Sequence, residues 1–130
     1  MFGYAPLDIL ASIAYIVVIM GRTPTLGEFE QIVLLAILRL DDTAYGATIR
    51  TEIANCTRRE PAPGALYTTL DRLEEKGLVR SYMGDPTPER GGRAKRFFSV
   101  TKPGRAAVLQ AQRAFQSLLK GLDLLEGTNA

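Results

Sequence analysis

The chain has 130 residues, 46% hydrophobic and 23% charged, with sixteen Lys and Arg against fourteen Asp and Glu for a formal charge of +2. That length predicts one domain with an ample core, and the near-neutral balance announces no polyanionic partner by itself. One cysteine and no histidine exclude an intrachain disulfide, a thiolate–imidazole zinc cage and the commonest general base. No metal and no cofactor is expected.

Residues 1–24 open the chain as an apolar extension, MFGYAPLDILASIAYIVVIM followed by GRTP. Its charge-free run, Ile9 to Met20, falls short of the roughly 20 residues a membrane span needs, and Asp8 interrupts any extension. A secretory leader begins with positive charge, and no Lys or Arg precedes Arg22. Three readings stand: an extra packing helix, a membrane-surface anchor, or a stretch outside the native protein with translation starting at Met20. The last is favoured, because MGRTPTLGEFE reads as a polar start to a cytoplasmic domain.

Thr25 with Glu28 three residues on has the spacing of a capping box. Leu26, Phe29, Ile32, Val33, Ala36, Ile37 and Leu40 then recur at helical spacing, predicting a helix from Thr25 to Asp41. Ala44-Tyr45-Gly46 reads as a connector and Gly46 to Thr57 as a second helix, with Cys56 a packing residue or a surface thiol near its end. Pro61 cannot sit inside a helix, so Arg58 to Ala62 is a loop. A third helix starts at Pro63 with Leu66, Leu70 and Leu73 inward, and stops at Gly77. Leu78 to Met83 and Arg96 to Val100 read as strands around a Gly- and Pro-rich turn. Thr101 caps a fourth helix, with Pro103 in its first turn, running to about Leu125.

Helix, helix, helix, hairpin, helix is the plan of a winged helix-turn-helix. The predicted class is mainly α with a small β-hairpin, a DNA-binding domain over 25–100 and a dimerisation helix and tail over 101–130. On the third helix Gly64, Tyr67, Thr68, Asp71 and Arg72 face outward. Gly64 lets a backbone approach closely, Tyr67, Thr68 and Thr69 offer hydroxyls to phosphates, and Arg72 reaches a phosphate or a guanine edge. Any solvated surface helix also looks like this, so the wing carries more weight. Arg90, Arg93, Lys95, Arg96, Lys102 and Arg105 follow one another with no acidic residue among them. A charged edge strand that resists aggregation accounts for one or two such residues; a phosphate-binding wing accounts for all.

The motifs LGEFEQIVLLAIL, AYGATI, PGALYTTLDRLEEKGLV and ERGGRAKRFFSVTKPG together resemble the PadR family of transcriptional regulators, over roughly Leu26 to Leu125. The resemblance implies a homodimeric winged-helix repressor on a palindromic operator of double-stranded DNA, with Tyr67, Thr68 and Arg72 on the recognition helix and Arg93, Lys95 and Arg96 on the wing. Val108, Ala111, Phe115, Leu118, Leu122 and Leu125 repeat at three- and four-residue steps, a seam for pairing with another helix, whether a partner's or the domain's own first helix. Only one C-terminal helix follows the hairpin, which resembles the short members. The absence of Trp argues against a stacking-type drug pocket, and no effector is assigned. Two other functions compete: a winged-helix module that binds protein, and a regulator tethered to a membrane through Ile9 to Met20. The basic wing argues against the first, since interface cores are depleted in charge. An enzyme is the least favoured reading, since the sequence offers no triad candidate, metal cluster or phosphate loop.

Overall fold

The computed structural model describes residues 25–85 and 94–125. The N-terminal apolar extension and the turn carrying Arg90, Gly91, Gly92 and Arg93 lie outside them. The elements are α1 (Glu28–Leu40), a short 3-10 turn (Asp41–Thr43), α2 (Gly46–Thr57), α3 (Pro63–Glu75), β1 (Val79–Met83), β2 (Arg96–Val100) and α4 (Lys102–Leu119).

Inward positions of every element close one core. Val33, Leu34 and Ile37 of α1 meet Ile49 and Ile53 of α2, Leu66, Leu70 and Leu73 of α3, Phe98 of β2, and Ala107 and Val108 of α4. The three α3 leucines are fully buried, and each such burial contributes about 1.5–3 kcal/mol.

α1 starts later than the spacing of Thr25 and Glu28 suggests. Gly27 is its N-cap, and the Gly27 N–H donates to Glu30 Oε1 at 2.9 Å. Glu28 instead pairs with Arg59 across the domain at 3.0 Å. At α2 the Tyr45 N–H donates to Thr48 Oγ1 at 2.9 Å, and that hydroxyl donates to the Thr43 carbonyl at 2.6 Å. α2 ends on Arg58 in the left-handed region, φ +62°. Pro63 opens α3. At its other end Gly77 has φ +74° and the Leu78 N–H returns to the Leu73 carbonyl at 2.9 Å, a Schellman-like stop.

β1 and β2 pair antiparallel, with Val79 opposite Val100, Ser81 opposite Phe98 and Met83 opposite Arg96. The stretch read from sequence as a connector is also a sheet element. Tyr45 bridges Phe97 on the free edge of β2, and the Phe98 N–H donates to the Ala44 carbonyl at 2.9 Å. The hairpin is thereby anchored to the start of α2.

Thr101 caps α4 as expected, accepting from the Gly104 N–H at 3.1 Å while donating to the Gly77 carbonyl at 2.7 Å. Gly104 lies so close to the Leu78 carbonyl and Val100 Cγ1 that a Cβ would collide with both. The helix is shorter than its apolar pattern. It stops at Leu119, and Gly121 turns the chain with φ +82°.

Candidate nucleic-acid interface

With Leu66, Leu70 and Leu73 inward, α3 presents Gly64, Tyr67, Thr68, Asp71 and Arg72 to solvent. A Cβ at Gly64 would meet nothing within 4 Å, so packing inside the protein does not require glycine there. Tyr67 is 43% exposed, and its hydroxyl occupies the space a side chain on Gly46 would need. That contact locks α3 against the first turn of α2. Thr69 departs from expectation. It is buried, and its hydroxyl donates to the Ala65 carbonyl at 2.9 Å, so it offers nothing to a ligand.

The wing residues divide by what they touch. Lys95 is half-buried, its Nζ 5.3 Å from the centre of the Tyr45 ring. Tyr45 meets Phe97 edge-on at 5.4 Å, and Phe97 stacks on Tyr82 at 5.6 Å. An aromatic base for the hairpin results, with Lys95 at its rim. Arg96 has internal partners: Nη2 donates to Glu74 Oε1 at 2.6 Å, Nη1 lies 3.6 Å from Asp71 Oδ1, and the guanidinium stands 5.1 Å from the Phe98 ring centre. Arg90 and Arg93 fall outside the described residues. Lys102 and Arg105 are exposed on the first turn of α4.

Two features of this region were not read from sequence. Arg50 Nε donates to the Pro61 carbonyl at 3.0 Å, bracing the loop between α2 and α3. Glu74 accepts from Arg96 and also from Ser81 Oγ at 2.7 Å. Only the fold-back of the hairpin reveals that contact, because nothing local distinguishes Glu74 from Glu75.

The proposed dimer seam is split by the structure. Val108 is 4% exposed and belongs to the core of its own domain, so it is withdrawn from the partner surface. Ala111 is half-buried, and beside it Gln112 Nε2 donates to Gln31 Oε1 of α1 at 3.4 Å. Phe115 and Leu118 are exposed on α4, whereas Leu122 and Leu125 are exposed beyond its end.

A shallow cleft between α1 and α2 is lined by Ile32, Leu35, Ile53 and Cys56 among others. The Cys56 thiol is exposed and donates to Glu52 Oε2 at 3.4 Å. The Glu52 carboxyl is held below its usual range by the hydrogen bond from Arg39 and then by that from Cys56. Among the described residues there is no group of three or more His, Cys, Asp or Glu that could hold a metal. No helix of the described residues is long and apolar enough to cross a membrane.

The family model described as the transcriptional regulator PadR-like family matches residues 34–110. The transcriptional regulator Rv3488 of Mycobacterium tuberculosis is 36% identical over 80 residues, covering 62% of this chain and 70% of that protein. Among solved structures, a PadR family transcription regulator from Clostridium difficile R20291 superposes with a TM-score of 0.59 at 23% identity, over 71% of this chain and 92% of the other. One from Eggerthella lenta DSM 2243 gives 0.58 at 21% identity, over 92% and 95%. At these identities the likeness to the solved structures is one of fold.

Proposed function

Because the chain belongs to the PadR-like family, and is a transcriptional regulator rather than an enzyme, we propose that it represses transcription as a homodimer on a palindromic operator. In this reading residues 25–100 hold the DNA. α3 enters the major groove, with Gly64, Tyr67 and Thr68 toward base edges and Arg72 toward a phosphate or a guanine. The hairpin lies along the backbone, with Arg90, Arg93 and Lys95 facing phosphates. Arg96, engaged with Glu74 and close to Asp71, braces the wing.

The observation that carries this reading is the contrast across α3. Three fully buried leucines fix its inner face, while the N-terminal half of its outer face is exposed, uncharged and small-to-hydroxylic. Such a surface lets backbone and hydroxyls approach a groove without repelling phosphates. The dimer is inferred from Phe115, Leu118 and Leu122, which stand exposed on and just beyond α4 and would be covered by the same residues of a second copy. The cytoplasm is the compartment this function requires.

The test is binding to the DNA upstream of the protein's own gene across a salt series, wild type beside Arg90→Ala/Arg93→Ala. Affinity should fall steeply with salt. Losing two phosphate contacts per protomer should flatten the log–log slope by about three to four. Binding no tighter than to random DNA rules out that operator. Failure to bind any duplex defeats the DNA-binding reading and leaves a protein partner.

A further inference from the structure

α3 carries its charges at one end only. Pro63 to Leu70 holds none, whereas Asp71, Arg72, Glu74 and Glu75 crowd its C-terminal end. Three carboxylates against one guanidinium form a poor surface to bring toward phosphates. Glu74 is turned away from solvent, its side chain 19% exposed, and is spent on the hairpin. Oε2 accepts from Ser81 Oγ on β1 at 2.7 Å, and Oε1 accepts from Arg96 Nη2 on β2 at 2.6 Å. One carboxylate therefore grips both strands. The neighbouring Asp71 lies 3.6 Å from the same guanidinium.

A two-stranded hairpin is marginal unless something holds it. This one joins α3 through the tight turn at Gly77 and touches the connector before α2 at Ala44 and Tyr45. Val79 and Phe98 sit in the core, and Glu74 adds a polar strut that reaches both strands; charge-assisted hydrogen bonds of this length are the strong kind. We propose that Glu74 is a positioning residue: it sets the angle of the wing against α3 and thereby operator specificity, without touching DNA. The inference rests on the DNA-binding reading above. It assigns labour along α3: the uncharged half and Arg72 to the DNA, Asp71 and Glu74 to the wing.

Electrostatics and positioning predict opposite signs, which makes the test sharp. Wild-type full-length protein selects 30-base-pair duplexes from a random pool (the length about three helical turns). The enriched duplex and an unselected one then serve as probes for Glu74→Gln. Removing a carboxylate beside DNA by itself tightens binding to both. A loosened wing weakens only the selected duplex, by about tenfold for a lost charged hydrogen bond, while the unselected duplex holds steady or tightens.

Equal tightening on both probes overturns the proposal and leaves Glu74 a mere charge. Equal weakening overturns it as well, because a general loss of fold spares neither. Ser81→Ala cuts only the β1 half of the grip and should lose selectivity in the same direction, by a smaller factor, with a melting transition that stays cooperative and shows the domain folded. It decides the matter alone if Glu74→Gln does not fold. An unaltered ratio there counts against the proposal, and a pool that yields no enrichment defeats the DNA reading and this inference together.

Discussion

Glu30 ties the start of α1 to the end of α3. Its carboxylate accepts from the Gly27 N–H and, at 2.9 Å, from Lys76 Nζ. Burial pushes its pKa up, but the Lys76 hydrogen bond, the Gly27 N–H and the charges of Lys76 and Arg72 together hold it below its ordinary 4.5. A carboxyl lowered in the folded state stabilises the fold above its unfolded pKa, and that stability is lost as pH falls through the folded value. The wild type should therefore hold its stability at mildly acidic pH and lose it below about pH 4.5. Glu30→Gln should sit about 0.5–1 kcal/mol lower at neutral pH, the scale of a partly screened pair, and decline less steeply in acid. Urea titrations across pH read both, and parallel declines would sink the assignment. The same residue shows why caps resist reading from sequence. Thr25 with Glu28 and Gly27 with Glu30 have equal spacing; the choice is made by Lys76, which no local pattern connects to α1.

The pairing of α2 with α3 depends on a missing side chain. Tyr67 lays its hydroxyl where Gly46 would carry a Cβ, so Gly46→Ala must push the ring aside. The expected cost is about 1–3 kcal/mol, as for overpacking elsewhere. Adding Tyr67→Ala should cost less than the sum of the two changes, because the collision is already gone. Denaturant unfolding of the two single variants and the double one measures this; strict additivity would mean that the two residues do not share the space. At this scale much was legible. The spans of α2 and β2, Pro63 as the first residue of α3 and Thr101 as the cap of α4 follow from turn chemistry and period. What escaped depends on contacts across the chain: the bridge from Tyr45 to Phe97, the internal partners of Arg96, and the stop of α4 at Leu119. There an apolar repeat continues through Leu122 and Leu125 although Gly121 has already turned the backbone.

The fold and the family could be read from four motifs in fixed order; how two protomers would meet could not, since apolar spacing does not separate own core from partner surface. Val108 and Phe115 share one repeat, yet the first lies in the domain's core and the second is 57% exposed. The homodimer reading makes a prediction there. Phe115→Glu/Leu118→Glu should convert a dimer to a monomer by sedimentation, with little change in the domain's intrinsic unfolding, because neither side chain is in the core. Operator affinity should fall at least about a hundredfold when two linked contacts become one. A dimer that survives both charges would remove this surface from the interface. The lone exposed thiol at Cys56 makes such questions accessible without redesign. A nitroxide or maleimide dye attaches at one known position per chain, in the last turn of α2. In a two-fold assembly the pair of labels is a single ruler, and its change in length on adding DNA reports how far the two domains shift against each other.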